Sequence, residues 1–458
     1  MSESDHAKLL TRRSILKGTA VGAGALAFSG TPTFFVRNAW AQDYPPLGNF
    51  PVNGGTVTYG FVVPLTGAYA DEGADELKAY EFAVKHINEG GGMLETMKPV
   101  SLKGNGVLGK KLEWVQGDAQ TDPDAARAAA RRMIERDNVI MYSGGSSSAV
   151  AVAQQYLAQE SGVVFMCALT HSNDTTGKDR RRYGFREFFN AYMSGQALGP
   201  ILAQEYGKDR RAYHLTADYT WGHTQYESMK DSTERQGWTT VSNIMTPLGA
   251  QDYSQYLTAV LNSDADVLVL NHYGQDMVNS LTQAVRFGMR DREVNGKQME
   301  VVVPLYSRLM ASGAGLENIQ GVLGTTNWHQ SAEDAGSRAF VAAFVEAHGR
   351  PPSQAAQTAY VQTLLYSDAV ERAGTFYPPE VIKALEDYDY DGMGPSPAFY
   401  RGCDHQVFKD IFVVRGKAPD KSTDEFDLLE VVQQVPRADV EYACDMMPGD
   451  LGPYEPAA

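Results

Sequence analysis

The sequence predicts an α/β protein of two lobes, each a helix-flanked and mainly parallel sheet, with a ligand cleft between them. Short apolar strands alternate with amphipathic helices along most of the chain, which favours right-handed parallel units. The alternation falls into two series that meet near Asn190. The length of 458 residues also exceeds what one hydrophobic core normally supports. Ligands of such sheets bind at the carboxyl ends of the strands.

The first series follows a Pro- and Gly-rich lead that ends at Gly55. Its predicted strands are 57–63, 112–115, 139–142 and 163–167, and its predicted helices are 76–88, 124–136 and 149–159. Asp122 and Pro123 are typical of a helix start, because the carboxylate caps the first turn and proline lacks an N–H that would have no partner there. Glycines at 90–92 end the first helix.

The second series repeats the alternation. Its predicted helices are 194–205, 224–235, 253–261 and 277–287, and its predicted strands are 212–216, 241–245, 267–270 and 301–303. A strand at 321–326 and helices at 337–348 and 356–373 follow. We therefore assign residues 55–189 and 322–400 to lobe 1, 190–321 and 401–445 to lobe 2, and 446–458 to a loose tail.

Residues 1–41 have the pattern of an export leader. Arg12 and Arg13 precede a weakly apolar run, and residues 39–41 (Ala-Trp-Ala) form a small-x-small cleavage site. The run is rich in glycine, so it is a poor membrane span. We expect a twin-arginine signal peptide that is cleaved after Ala41, a periplasmic location and no direct membrane insertion.

The net charge limits the possible binding partners, and the cysteines indicate whether a disulfide is expected. The formal net charge of −16 argues against nucleic acid and anionic membrane surfaces as partners. The three cysteines all follow the leader, and an oxidising compartment favours a disulfide. Cys167 lies in a predicted buried strand, so Cys403 and Cys444 are the expected pair; three free thiols are the alternative.

Several short sequence motifs, taken together with their order and spacing, resemble those of one protein family. They are GFVVPLTG at 60–67, AVKHINEGG at 83–91, GDAQTDP at 117–123, GSSSAV at 145–150, DYTWG at 218–222 and DHQ at 404–406. The chain resembles the branched-chain amino-acid-binding family of periplasmic receptors for ATP-driven importers, which has the type I periplasmic binding protein fold. The resemblance implies a small-molecule ligand, a membrane permease as partner, and no cofactor or metal.

The loop at 144–148 is the first candidate binding element. Small hydroxyl side chains and free N–H groups at a helix start suit an anion, although Ser147 or Ser148 could equally be a plain helix cap. By resemblance, Ser148 matches a serine that holds the ligand carboxylate.

Residues 169–173 follow the next strand, where family members use a backbone group and a threonine hydroxyl. Leu169 takes the backbone position, and His171 stands where the threonine is expected. A histidine can still donate to an anion, whereas a shift of register would give this role to Thr170 or Ser172. No second ligand at metal spacing accompanies His171.

Aromatic residues follow several strands and face the predicted cleft. Trp221 and Tyr273 match ligand-contacting aromatics of the family, Tyr219 neighbours Trp221, and Tyr69 is the equivalent in the first lobe. Core packing is the alternative for any one of them, but together they favour a ligand pocket.

The largest departure from the family follows the strand 301–303. Amino-acid-binding members carry an acidic residue there for the ligand ammonium, whereas this chain has Pro304, Leu305, Tyr306, Ser307 and Arg308. An unpaired buried ammonium is costly, so α-amino acids come into question. Tyr306 joins the candidate aromatics, and a cation held by π-interaction, an amide or an aromatic acid are alternatives. Arg308 is either an anion clamp or a solvated surface residue.

The first expectation for function is a non-enzymatic receptor for a branched-chain amino acid. Small amides or urea, aromatic acids and quaternary amines are the alternative ligands. A sensory ligand-binding partner and a hydrolase are rival functions. The hydrolase is disfavoured because 144–148 lacks the closing glycine of a Gly-x-Ser-x-Gly elbow.

Overall fold

The computed structural model describes residues 44–456. The predicted leader, its twin arginine and the cleavage site after Ala41 lie outside the described residues. None of the helices within 44–456 is both long and apolar enough to traverse a lipid bilayer.

The first lobe is a parallel sheet with helices on its faces. Its elements are β1 (Thr56–Val63), α1 (Ala70–Glu89), β2 (Lys111–Asp118), α2 (Pro123–Arg136), β3 (Met141–Gly144), α3 (Ser148–Ser161), β4 (Val164–Cys167) and β5 (Gly184–Arg186). The strand order is β2-β1-β3-β4-β5, and all neighbours are parallel. Asp122 caps α2 as predicted, accepting the N–H of Ala125 at 2.8 Å.

Helix α1 begins earlier than the predicted residue 76. Its first turn contains Asp71 and Glu72, which suit the positive end of a helix dipole but carry no apolar periodicity. Gly73 permits this start, because a Cβ there would meet the carbonyl oxygen of Pro64 at 2.0 Å. The extra turn places Glu72 and Asp75 on the buried side of α1.

The second lobe continues the chain with a larger sheet. Its elements are α4 (Ala191–Tyr206), β6 (Arg211–Ala217), α5 (Thr220–Arg235), β7 (Thr239–Thr246), α6 (Ser254–Leu261), β8 (Val267–Asn271), α7 (Gly274–Arg286), β9 (Glu293–Val294), β10 (Lys297–Gln298), β11 (Glu300–Leu305), α8 (Arg308–Ala314), α9 (Leu316–Ile319) and β12 (Leu323–Thr326).

The chain then returns to the first lobe and afterwards adds its last two strands to the second sheet. These elements are α10 (Ala335–His348), α11 (Gln354–Ala373), α12 (Pro378–Leu385), β13 (Tyr388–Tyr390), β14 (Ala398–Tyr400), β15 (Val407–Phe408), β16 (Ile411–Gly416), β17 (Leu429–Val435) and α13 (Arg437–Val440). Helix α11 is buried against α1 and β1; the hydroxyls of Ser367 and Tyr59 are 2.9 Å apart.

The second sheet has seven strands in the order β17-β16-β12-β11-β8-β6-β7. Five consecutive strands of this sheet, β7, β6, β8, β11 and β12, are parallel to one another. Strands β16 and β17 are added antiparallel at the β12 edge. The predicted fold class, two lobes with mainly parallel sheets, is confirmed.

The lobe boundary at residues 322–326 and the C-terminal tail differ from the prediction. Residues 322–326 were assigned to lobe 1, but β12 pairs with β11 and β16 inside the second sheet, because its backbone groups find partners on both sides there. The predicted loose tail is packed on the first lobe. Leu451 is buried and its carbonyl accepts the N–H of Arg182, while Tyr183 donates its hydroxyl to the carbonyl of Tyr454.

The predicted disulfide between Cys403 and Cys444 is present, and Cys167 is a free, buried thiol in β4. The alternative of three free thiols is therefore wrong. The disulfide ties the segment between β14 and β15 to the turn after α13.

Candidate functional site

The loop after β3 carries Ser147, whose side chain does not cap the helix that follows. Gly144 must lack a side chain, because a Cβ there would meet the carbonyl oxygen of Val62 at 1.9 Å. Ser147 is the N-cap of α3, yet its side chain makes no capping hydrogen bond, and its buried Oγ has no partner among the described residues. The plain-cap interpretation of Ser147 is therefore wrong, and its hydroxyl is available to a ligand.

Ser148 connects this loop to the next one. Its Oγ accepts the N–H of His171 at 3.3 Å and of Ser172 at 3.0 Å. The serine is 1% exposed. Because both contacts use oxygen lone pairs, the hydroxyl proton remains free to be donated. Ser148 is thus a positioned donor between the ends of β3 and β4.

His171 is a neutral ring in a fixed orientation. Its Nδ1 lies 2.7 Å from the carbonyl oxygen of Phe189, which can only accept, so Nδ1 carries the proton. Burial, with a smaller effect of the Arg186 charge, lowers the pKa of His171 well below its ordinary value. Nε2 is buried without a hydrogen-bond partner in the described chain and can only accept. The expected donation from His171 to an anion does not fit this tautomer.

The two residues that a shift of register would favour are already occupied. Thr170 donates its hydroxyl to the carbonyl of Gly145. The hydroxyl of Ser172 lies 3.0 Å from that of Thr220 and accepts the N–H of Asp174 at 3.1 Å. Leu169 is buried and packs with the apolar residues of the second lobe. These three residues therefore shape the loop.

Four of the predicted aromatic residues form one connected cluster between the lobes. The hydroxyl oxygens of Tyr69 and Tyr219 are 2.6 Å apart. The ring centroid of Tyr273 is 5.6 Å from that of Tyr69 and 6.3 Å from that of Trp221, and Trp221 is 5.9 Å from Tyr219. The His171 ring completes the cluster, 6.4 Å from Trp221. The structure therefore brings these five side chains together.

Polar atoms within this cluster lack partners. The indole Nε1 of Trp221 and both amide atoms of Gln225 are buried and form no hydrogen bond with any part of the chain that the structure describes. Gln225 also adjoins the His171 ring. A buried donor or acceptor without a partner is costly. A polar ligand in the cleft would supply hydrogen-bond partners for such atoms on both lobes.

Tyr306 lies apart from the aromatic cluster. It packs in the core of the second lobe, its hydroxyl has no partner within residues 44–456, and the positive charge of Arg290 acts on it. Arg290 in turn donates to the carbonyl of Glu317 beyond α8. Tyr306 lines a separate small cavity with Arg308 and Gln354, and its role in ligand binding stays a prediction.

The segment after β11 offers no acidic side chain, as the sequence indicated. Arg308 is buried, donates to the carbonyl of Pro351 at 2.9 Å and lies over the ring of Phe426. The solvated alternative for Arg308 is therefore wrong.

Sequence reasoning missed two carboxylates on α1. Glu72 and Glu76 are 2% and 0% exposed. The hydroxyl of Ser146 donates to Glu76, with 2.9 and 3.0 Å to the two carboxylate oxygens. Burial, with a smaller effect of the neighbouring acidic residues, raises the pKa of Glu72 and of Glu76 to about 8. Acidic residues four apart on a helix with a buried side were the available signal.

Asp75 has a different role from its neighbours. One of its oxygens accepts from Arg350 at 2.8 Å and the other accepts the N–H of Ser353 at 2.8 Å. Asp75 thereby ties α1 to the start of α11. Within the described part of the chain, no group of three or more His, Cys, Asp or Glu side chains is arranged to hold a metal ion.

This two-lobed architecture, with a cleft lined at strand ends, is that of a periplasmic solute receptor. The family model described as "Periplasmic binding protein" matches residues 56–423, and the chain belongs to this family. The family consists of solute-binding receptors that act in the periplasm.

Three relatives illustrate the similarity. The Leu/Ile/Val-binding protein homolog 8 of Brucella abortus (strain 2308) is 24% identical over 350 residues, covering 73% of this chain and 80% of that protein. A periplasmic binding protein of Burkholderia mallei aligns with a TM-score of 0.76 at 24% identity, covering 86% of this chain and 98% of the other. A solute-binding protein of Rhodopseudomonas palustris BisB5, solved with 3,4-dihydroxybenzoic acid, aligns with a TM-score of 0.71 at 20% identity, covering 84% and 97%.

Proposed function

We propose that this protein captures a small polar solute in the periplasm by closing its two lobes and presents it to the permease of an ABC importer. The observation that carries the proposal is the set of unpartnered buried polar atoms between the lobes. Ser147 and His171 contribute from the first lobe, and Trp221 and Gln225 from the second. Hinge closure around a ligand would satisfy both sides at once.

The proposed binding residues are those that the cluster brings together. Ser147, Ser148, Leu169 and His171 line the first lobe, beside Tyr69 from the segment before α1. Tyr219, Trp221 and Tyr273 line the second lobe. Tyr306 remains a candidate from the sequence, with a supporting role beneath the second sheet. We propose no catalytic residue, cofactor or metal.

A branched-chain amino acid is the first candidate solute, because the curated relatives carry Leu/Ile/Val-binding names. Small amides, aromatic acids and quaternary amines follow. The aromatic cluster suits any flat or apolar body, so the rings alone do not select among these classes. The charge of the site discriminates among these classes more strongly than the rings do.

A thermal-shift panel on the chain from residue 42 onward tests the receptor role. The panel contains branched-chain amino acids, amides and urea, betaines, amines and aromatic acids. A solute at 100 times its dissociation constant should stabilise the protein by about 2.7 kcal/mol. A hydrolase would instead consume the solute, which chromatography of the incubated mixture would reveal. Solute that stabilises and remains intact supports the receptor, and turnover contradicts it.

A further inference from the structure

The cleft contains two buried carboxylates without a positive partner. Glu72 and Glu76 lie one helical turn apart on the same side of α1. The ion pair that α1 makes to Arg350 uses Asp75 instead. No salt bridge to Glu72 or Glu76 is formed by any lysine, arginine or histidine within residues 44–456. Buried carboxylates with no counter-charge are costly, and a positive ligand would relieve that cost.

Glu76 occupies the donors that an anionic ligand would need. It accepts from the Ser146 hydroxyl after β3 and from a backbone hydrogen bond of Leu169 after β4. Both donors stand at the strand ends, where α/β sheets bind ligands. Two of the donors at these strand ends are therefore used by the protein's own glutamate.

Glu72 extends this acidic pair toward the second lobe, and a cationic ligand would favour the ionised form of both side chains. The Glu72 carboxylate interacts with the hydroxyl of Tyr273, a member of the aromatic cluster. The ring centroid of Tyr273 lies 6.3 Å from that of Trp221, and aromatic rings attract cations to their faces. The acidic pair and the aromatic cluster are thus parts of one site.

An independent feature of the same site also favours a positive, hydrogen-donating ligand. The Nε2 of His171 can only accept, because the Nδ1 proton is committed to Phe189, and on this side chain, which is 2% exposed, it adjoins the Gln225 amide. The hydroxyl of Ser147, also 2% exposed, is unused and adjoins the serine that holds Glu76. A ligand with N–H groups could satisfy both.

We propose that the solute presents an organic cation, a protonated amine or quaternary ammonium, to Glu72 and Glu76, with Trp221 and Tyr273 against it. This inference rests on the proposed receptor function and adds the charge of its ligand. In this proposal the acidic residues that pair with the cation lie on α1 of the first lobe. In amino-acid-binding members of the family, the corresponding acidic residue follows β11 in the second lobe. Above about pH 8, where both glutamates are ionised, a solute whose only charge is a carboxylate would meet like charge at this end and should be rejected.

Matched pairs of probes test the inference by calorimetry. The pairs are benzylamine with benzoate and leucinamide with 4-methylpentanoate, with choline added as a quaternary ammonium and benzamide as a neutral probe. We expect at least one of the three cations to bind and neither carboxylate to bind. Glu76→Gln and Glu72→Gln should each weaken cation binding at least tenfold.

Glu81→Gln is the matched control, because Glu81 is an exposed residue of the same helix. It should bind the cation like the wild type. A melting curve shows whether each variant folds, and Glu72→Gln carries the test if Glu76→Gln does not.

The outcomes separate the two proposals. Binding of only the carboxylates or benzamide overturns the cation site and leaves the receptor function standing. Cation binding that survives both glutamine variants overturns the assignment to Glu72 and Glu76. Absence of binding by every probe counts against the cation site, and absence of any thermal shift in the wider panel counts against the receptor as well.

Discussion

The hydroxyl oxygens of Tyr69 and Tyr219 lie 2.6 Å apart, so one hydrogen bond joins the first lobe to the second across the cleft. Beside it, the N–H of Gln275 at the start of α7 donates to the carbonyl of Ala68 at 3.1 Å. Both contacts require closed lobes. We therefore expect the tyrosine pair to act as a latch, that is, to hold the lobes closed and thereby add to the affinity for the ligand.

Removal of the latch should weaken ligand affinity without unfolding the protein. Tyr219→Phe deletes a hydrogen bond of about 0.5–1.5 kcal/mol, or roughly a 2- to 13-fold rise in the dissociation constant. Calorimetry with the solute that gives the largest thermal shift measures this change. Tyr226→Phe, on the same helix, is the control and should bind like the wild type. Equal affinity of Tyr219→Phe and the wild type would show that the latch contributes nothing.

Gly274 determines how closely the lobes approach. Its φ is +56°, and a Cβ there would meet the Tyr69 ring at 2.5 Å and the carbonyl oxygen of Ala68 at 2.7 Å. Gly274→Ala should therefore hold the lobes apart and weaken binding by roughly 5- to 160-fold, since strain at such a site costs of order 1–3 kcal/mol. Small-angle scattering with saturating solute should show a larger radius of gyration than for the liganded wild type. Gly296→Ala, also at positive φ but with open space around it, is the control for backbone strain.

The buried glutamates predict a pH dependence of stability. The folded-state pKa values of Glu72 and Glu76 are about 8, above the ordinary value of 4.5, so the folded protein holds protons that the unfolded chain releases. The contribution of these groups is fully present below about pH 4.5 and is lost as the pH rises through 8. Without ligand, Glu76→Gln should gain melting temperature relative to the wild type between pH 5 and pH 9. A difference that stays constant across this range would contradict the raised pKa of Glu76.

The leader makes a prediction for the cell. Changing Arg12 and Arg13 to Lys should strand the precursor in the cytoplasm, because the paired arginines define the proposed twin-arginine route. Fractionation followed by immunoblotting measures the distribution, and Lys8→Arg, outside the pair, is the control. Normal periplasmic levels of the double variant would refute this route.

The fold was largely predictable because its signals are local. Alternating apolar strands and amphipathic helices define both sheets, and a cap such as Asp122 with Pro123 marks a helix start within two residues. The strand at 323–326 was detected, but its lobe was not, because four apolar or small residues do not specify which sheet they join. The packed tail was missed since Leu451 is one buried residue in a Gly/Pro-rich segment.

The site was predictable in part. Position after a strand was enough to assemble Ser148, Trp221 and Tyr273 on one cleft, because parallel strands deliver their ends to one edge. Position after a strand could not distinguish Tyr306 from the aromatic residues of the cluster, although Tyr306 packs in the core of the second lobe. Nor could it identify Glu76, since a glutamate within a helix is usually a solvated residue and only the tertiary contact with Ser146 shows otherwise.

The central claim is that one solute is held from both lobes, and titration calorimetry on Ser148→Ala and Trp221→Ala tests it most directly. With the solute of largest thermal shift, Ser148→Ala should cost about 1.5–3 kcal/mol if its partner is charged, or roughly tenfold or more in affinity. Trp221→Ala should cost more through lost apolar contact. Both variants should keep a cooperative melt, because neither residue lies in a core strand. Unchanged dissociation constants in both would place binding elsewhere and contradict the shared cleft.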